Sequence, residues 1–376
     1  MDSIASLWRL IERGKKGENV GTSTGLEKLD KIIGGVQPSR YYLIGAASSA
    51  GKSALVLYMM YRMLRNMTKE NPIYFLYFSL EIGADVLLAK LMALYCAEEF
   101  GIYLTLNDTL SFEQPIGDLE FKCLAKAKDW LNSISNHIHI LDKGLNVKVL
   151  YSETLRFMER YGTIEQLEDG RKRFIPNNYN QRVIGIIDHL SLVRTSEGRS
   201  LKQEMDEISS YMVTLKRKYL ISWFVLMQQN RDASSMDRRK FDMNEPGLND
   251  LKDSGSPAQD ADVVIQIFYP FREKLPTYRN YVIISNGNPC FRDAFRSLII
   301  TKNRYGIANK VIGCGFYGSV GWWKELPPGE EIEDTELYIH QEDNIPCNSK
   351  EVKDIEGKDD SVSETATEKI QLNFKF

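Results

Sequence analysis

Eight consecutive residues, Ala46-Ala47-Ser48-Ser49-Ala50-Gly51-Lys52-Ser53, combine small side chains, one cation and one hydroxyl in an order suited to holding phosphate. Small residues let successive backbone N–H groups curl around a phosphate, and the positive end of a following helix adds to the field. In such a loop Lys52 would neutralise the β- and γ-phosphates of a nucleoside triphosphate, and the Ser53 hydroxyl would ligate Mg²⁺. The strict pattern opens with glycine, and Ala46 stands in that place. Taken without context, the run also suits a plain strand-to-helix turn that happens to hold Gly-Lys-Ser.

Two carboxylates could complete a hydrolytic centre. Val183-Ile184-Gly185-Ile186-Ile187-Asp188 is an apolar run ending in an acid, and Phe78-Ser79-Leu80-Glu81 places Glu81 just past another apolar run. Ligands of open parallel sheets gather at the carboxyl ends of the strands. Asp188 would then hold Mg²⁺ through water beside Ser53, and Glu81 would orient the water that attacks the γ-phosphate. Each acid also has a plainer use. Asp188 could cap a turn, and Glu81 could sit at a helix N-terminus where the dipole favours it.

The elements needed to position these groups are legible as alternating strands and helices. Tyr41–Gly45 reads as a strand and Lys52–Arg65 as a helix apolar nearly all round, hence buried. Strands follow at Ile73–Ser79, Ile138–Leu141, Val183–Asp188, Ser222–Met227, Asp262–Phe268 and Leu298–Thr301, with helices at Asp85–Tyr95 and Glu204–Lys218. Continuous apolar strands separated by helices predict an α/β fold, a mostly parallel sheet with helices on both faces, and the small-residue loop Ala46–Ser53 after the first strand marks it as a P-loop NTPase. Two stretches interrupt the pattern. Glu165–Gln181 is polar around Arg171-Lys172-Arg173, and Lys274–Arg296 carries the turn cluster Asn286-Gly287-Asn288-Pro289, which suggests a hairpin insertion. Near the start, Ile4, Leu7, Trp8 and Ile11 predict a short amphipathic helix, either a cap on its own domain or a linker arm toward a neighbouring subunit.

Composition narrows the class. Hydrophobic residues make up 43% and charged residues 26%, as in a soluble globular protein with a large core. No apolar run approaches the roughly 18 residues that would span a bilayer, no signal peptide opens the chain, and no membrane contact is expected. The five cysteines lie far apart without a C-x-x-C pair, against a disulfide framework or a zinc site and in keeping with the cytoplasm. The net charge of −3 is unevenly spread: Glu325–Phe376 holds 15 acidic and 5 basic residues, leaving a net +7 on the body. A basic body with an acidic tail suits a protein that meets a polyanion. The tail predicts disorder from about Asn348, yet Ile370, Leu372, Phe374 and Phe376 alternate at its tip; the tip loosely resembles hooks for a replisome partner, while a final edge strand on the domain or a plain terminus would suit the same residues.

From Gly21 to Lys324 the chain resembles the RecA-like motor domain of DnaB-type replicative helicases. Entry is through Gly21-Thr22-Ser23-Thr24-Gly25-Leu26, Leu29-Asp30 and Gly34-Gly35-Val36-Gln37-Pro38. The family commonly has alanine where Ala46 stands. Phe78-Ser79-Leu80-Glu81 is similar to F-S-L-E, which implies Glu81 as hydrolytic base, and Ile187-Asp188-His189-Leu190 to I-D-Y-L, with His189 departing. Gln228 in Leu226-Met227-Gln228-Gln229-Asn230-Arg231 resembles the family's polar sensor. The run from Asp250 to Asp262, Asp-Leu-Lys-Asp-Ser-Gly-Ser-Pro-Ala-Gln-Asp-Ala-Asp, is similar to a channel loop that touches single-stranded DNA. That implies Lys252, Asp253 and Gly255 as backbone contacts, with lysine replacing the family's arginine and giving up its bidentate fork. Thr301-Lys302-Asn303-Arg304-Tyr305-Gly306 resembles K-Q-R-N-G, implying that Lys302 and Arg304 reach into the neighbouring subunit's ATP site.

The resemblance therefore implies an ATP- and Mg²⁺-dependent 5′→3′ DNA helicase working as a homohexamer around one strand of DNA. It implies three parts: a linker arm over 1–20, the motor over 21–326 and the acidic tail over 327–376. With residues 1–20 ahead of the match, the family's N-terminal helical domain and a zinc-binding primase module are expected to be missing, as in a minimal phage-type helicase. A RecA/RadA-type recombination ATPase and a non-unwinding ATP-binding assembly platform are the competing readings.

Overall fold

The computed structural model describes residues 3–166, 172–230, 245–251, 255–285 and 290–332. In chain order the main elements are α1 (Ser3–Lys15), α2 (Glu27–Ile33), β1 (Tyr41–Ala46), α3 (Lys52–Asn66), β2 (Ile73–Ser79), α4 (Ala84–Phe100), α5 (Leu106–Thr109), α6 (Asp118–Ser133), β3 (Ile138–Leu141), α7 (Val147–Met158), β4 (Gly162–Gln166) and β5 (Lys172–Pro176). They continue with β6 (Arg182–Asp188), α8 (Leu201–Tyr219), β7 (Ser222–Gln228), α9 (Gly255–Asp260), β8 (Val263–Phe268), β9 (Thr277–Tyr278), β10 (Tyr281–Val282), β11 (Phe295–Asn303), β12 (Lys310–Tyr317) and β13 (Trp322–Glu325).

Nine of the described strands build one sheet in the order β13-β12-β11-β8-β1-β7-β6-β2-β3, and β4–β5 and β9–β10 pair as two separate ribbons. From β8 to β3 neighbouring strands are parallel, whereas β11, β12 and β13 fold back antiparallel at one edge. Period-2 alternation assigns the two faces. Tyr42, Ile44 and Ala46 of β1 join the core under α3, α4 and α6, while Tyr41 and Leu43 join the core under α7 and α8. Gly185 in mid-β6 admits the buried Trp223, whose ring lies where a Cβ would sit, 2.1 Å away. Among the described residues no helix is long and apolar enough to cross a membrane.

The expected strands and helices are all present, several longer than their hydrophobic cores suggested. β11 spans Phe295–Asn303 because polar residues at its ends still pair with β8 and β12. The polar stretch after Glu165 is half of a hairpin: β4 and β5 pair Ile164 with Phe174, and Phe174 is buried against Tyr219. The second insertion turns at Arg279 and Asn280, both with positive φ, between β9 and β10. The predicted turn over 286–289 lies outside the described residues, as do Lys252, Asp253 and the tail from residue 333 with its apolar tip. Residues 327–332, grouped with the tail by composition, run along the β9–β10 ribbon, where Tyr281 donates to the Pro327 carbonyl at 2.5 Å. The predicted amphipathic helix at the start is α1, with Ile4, Leu7, Trp8, Leu10 and Ile11 exposed.

Candidate functional site

β1 lies at the centre of the sheet, and the loop after it bends back on itself before α3 begins. Ser49 and Gly51 take positive φ (59° and 100°), which the glycine adopts without strain. A Cβ at Gly51 would also lie 2.9 Å from Trp323 and 3.0 Å from Phe316, so the loop is pressed against the β12–β13 edge. Two arginines grip its carbonyls from outside. Arg272 Nη1 donates to Ser48 O at 2.6 Å and Arg296 Nε to Ala50 O at 3.1 Å. Arg296 is buried with its guanidinium 3.5 Å from the Tyr269 ring centroid, and burial pulls its pKa down to about 10.

Lys52 and Ser53 open α3. Lys52 is buried, and desolvation lowers its pKa against the opposing pull of Asp188 and Glu81. Ser53 Oγ donates to Asp188 Oδ1 at 3.0 Å and Tyr77 OH donates to Asp188 Oδ2 at 2.9 Å. Burial raises the Asp188 pKa, and these two hydrogen bonds oppose the rise. The parallel register sets Ser79 opposite Asp188, and the Leu80 amide donates to the Asp188 carbonyl at 2.8 Å, so Glu81 emerges beside the buried acid. Glu81 itself is exposed, its carboxylate 3.9 Å from His189 Nε2. Gln228 ends β7 opposite Ala46, and Gln229 beyond it donates to the buried Gln266. Lys52, Ser53, Glu81, Asp188 and Gln228 thus meet at one end of the sheet.

The run that resembles the family's channel loop is rooted at the same end. Leu251 bridges to Gln229 and packs beneath Gly45, and the Asn230 amide donates to Asp250 O at 2.7 Å. Gly255, the described member of the expected contact trio, starts α9. That helix carries the chain back across the molecule to Asp262, just before β8 begins.

Lys302 and Arg304 lie at this opposite end. β11 is antiparallel to β8 and pairs Asn303 with Val263, four residues back along β1 from the phosphate loop, on the order of 13 Å at strand rise. Lys302 Nζ donates to Ala258 O and Gln259 O (3.0 and 2.6 Å). Arg304 Nη1 pairs with Asp262 Oδ1 at 3.0 Å, while Asp262 Oδ2 takes the buried Lys216 ammonium and the Tyr41 amide. The structure therefore does not bring these two cations to the phosphate loop of their own chain.

Tyr77, Arg272 and Arg296 were not among the residues singled out from sequence. Tyr77 had a faint signal, since a tyrosine in a fully apolar strand needs a partner for its hydroxyl. The arginines had none, because their partners are 224 and 246 residues away in the chain. With Asp188 as the expected Mg²⁺ ligand, Tyr77→Phe is expected to raise the divalent-metal concentration giving half-maximal hydrolysis by roughly tenfold, as loss of a hydrogen bond to a metal ligand usually does. A metal titration of the triphosphatase rate checks this; an unchanged midpoint would leave Tyr77 a packing residue only.

Residues 21–320 match the family model of the DnaB-like helicase C-terminal domain. The chain is 28% identical over 262 residues to the replicative DNA helicase DnaB of Helicobacter pylori, covering 69% of this chain and 46% of the relative. It is 26% identical over 276 residues to the replicative DNA helicase DnaC of Bacillus subtilis, covering 71% and 52%. The chain thus spans about half the length of the curated relatives it matches. Among solved structures, one isolated ATPase domain superposes with a TM-score of 0.67 at 20% identity, over 87% of this chain and all of that one. A DnaB-like replicative helicase studied with its primase interactions gives 0.66 at 21% identity, over 87% and 68%.

Proposed function

Because the chain belongs to the DnaB-like helicase C-terminal domain family, we propose that it is the motor of a ring-forming replicative DNA helicase. It hydrolyses ATP with Mg²⁺, translocates 5′→3′ on single-stranded DNA and separates the duplex ahead. One observation carries the reading: Lys52, Ser53, Asp188 and Glu81 converge at one end of the sheet, while Lys302 and Arg304 stand at the other. A head-to-tail ring, a homohexamer in which each copy's finger faces the next copy's phosphate loop, would make the two halves complete. Residues 1–20 would be the arm between subunits, 21–326 the motor, and the acidic tail a hook for a replisome partner in the cytoplasm.

The residues fit the proposed metal. Ser53 Oγ and Asp188 Oδ1 are hard oxygen donors held 3.0 Å apart, and Mg²⁺ typically takes one or two protein oxygens plus phosphates and water. Once bound, the ion would offset charge on the β- and γ-phosphates. The chain's own groups do the rest. The loop amides and Lys52 grip the phosphates, and Gln228, which ends β7 opposite Ala46, serves as the polar sensor of the γ-phosphate. Glu81 orients the attacking water, and the neighbour's Lys302 and Arg304 stabilise charge that builds in the transition state. The contact loop around Lys252, Asp253 and Gly255 leads into α9, whose carbonyls hold Lys302 and Arg304, so strand contact and finger position share one element.

The reading is tested by displacement of the paired strand from a fork with a 5′ tail in the presence of ATP, with the assembly sized by mass. DNA coating without displacement would favour a recombination ATPase, and a ring inert toward forks an assembly platform. Glu81→Gln is expected to bind ATP normally while kcat falls by roughly 10²- to 10⁴-fold, since the carboxylate acts on the transition state. A rate within a few-fold of the parent would reduce Glu81 to a cap. Lys252→Ala is expected to weaken single-strand binding evenly across sequences and to lower the salt slope by about one; a sequence-selective loss would mean the loop reads bases.

A further inference from the structure

At the end of the sheet away from the phosphate loop, the polar insertion β4–β5 and the amino ends of the central strands enclose a cleft of about 1370 Å³. Five cations line it beyond the Arg13–Glu18 pair: Arg40, Arg173, Arg182, Arg217 and Lys218. Glu18 is the single carboxylate of the lining, and it is engaged by Arg13 at 3.2 Å. Among the described residues none of the five has a carboxylate within ion-pair distance. Arg182 shows the consequence. Its Nη1 reaches only the carbonyls of Asn180 and Gln181, and its buried Nε has no acceptor. Burial, with Arg13 nearby, pushes its pKa down. Like charges gathered in a half-buried hollow repel one another, and an anion seated among them would relieve both the repulsion and the unmet donor.

Aromatic rings stand among these cations. Tyr179 is 71% exposed and Tyr151 39%, both on the lining. A basic groove with exposed rings is the chemistry that holds a nucleic-acid strand, through backbone phosphate and base stacking. We propose that this cleft is a second nucleic-acid site, taking the phosphodiester backbone of a DNA strand on its cations and a base on Tyr179. Only the choice of a polynucleotide over a smaller polyanion rests on the helicase reading. Within one copy the cleft lies at the far end of β6 from the nucleotide centre, because Arg182 begins β6 and Asp188 ends it; it shares that end with Lys302 and Arg304, and its Arg40 stacks on the Tyr305 ring beside them.

The test is binding of a labelled single-stranded oligonucleotide to the full chain without ATP, followed by anisotropy across a salt series. Arg173, Arg217 and Lys218 are exposed, so replacing all three by alanine should leave the melting temperature nearly unchanged. The triple variant is expected to bind roughly tenfold more weakly near 0.1 M salt, with a salt slope lower by about two. Tyr179→Ala is expected to lose roughly fivefold on the oligonucleotide and nothing on inorganic tripolyphosphate. An Arg173→Lys, Arg217→Lys pair, which keeps the charge, is expected to retain most of the affinity. Unchanged affinity and slope in a folded triple variant would overturn the proposal. So would an equal loss on oligonucleotide and tripolyphosphate with no effect of Tyr179→Ala, which would make the cleft a site for small polyphosphates. None of these readings needs hydrolysis, so a failure of unwinding in the parent chain is a separate result.

Discussion

Lys52→Ala is expected to abolish ATP hydrolysis and strand displacement, by at least about a thousandfold, while the protein stays folded. The lysine opens the buried helix α3 directly after the phosphate loop, and among the described residues no hydrogen bond or ion pair ties its ammonium to the fold. Its burial lowers its pKa, so the folded state bears a cost for keeping it charged at neutral pH. Alanine removes that cost together with the charge. Stability should therefore hold or rise slightly, and the change should be largest below the folded-state pKa of Lys52, where the ammonium is charged. Steady-state phosphate release and a thermal melt on the same sample check both halves. Lost activity with a lost melting transition would assign Lys52 a structural role.

Arg304→Ala is expected to cost roughly 10³- to 10⁵-fold in hydrolysis as a pure protein, the range of a charge supplied across an interface. It should recover part of that rate when mixed with Lys52→Ala subunits. In a mixed ring some interfaces join an intact phosphate loop to an intact finger, although neither parent can form one. The geometry motivates the mixing experiment, since Arg304 sits at the end of the sheet remote from its own loop, held by Asp262 and the Gln259 carbonyl. Removing it also leaves Asp262 with Lys216 and the Tyr41 amide, so the buried carboxylate stays partnered and the fold should survive. Rings that assemble but show no rescue at any mixing ratio would rule against a finger acting between subunits.

Much of the chemistry was legible in the sequence because it is local. A small-residue loop between an apolar strand and an apolar helix can be read within about 25 residues, and so can an acid at the end of an apolar run. Lys52, Ser53, Asp188 and Glu81 were singled out that way, as were the parallel strands whose unbroken apolar runs announce burial on both faces. The first insertion was visible only as a break in the pattern, while the second carried a turn cluster that suggested a hairpin. Their hairpin pairing depends on partners such as Phe174 against Tyr219, which no local periodicity encodes.

Neighbour order and the reversal at one edge left no mark on the sequence, and they decided the rest. A period of two is the same for a parallel and an antiparallel strand, so nothing local announced that β11, β12 and β13 fold back along one edge. That reversal carries Lys302 and Arg304 to the far end of the sheet and brings Trp323 and Phe316 against Gly51. The β2–β6 register sets Glu81 beside Asp188, and Tyr77 reaches that acid across 111 residues of chain. The sequence determined by itself which groups could do the chemistry, because short-range spacing sets local geometry. The tertiary structure decided which of them meet and which face outward, because pairing between distant strands is settled by the packing of the whole core.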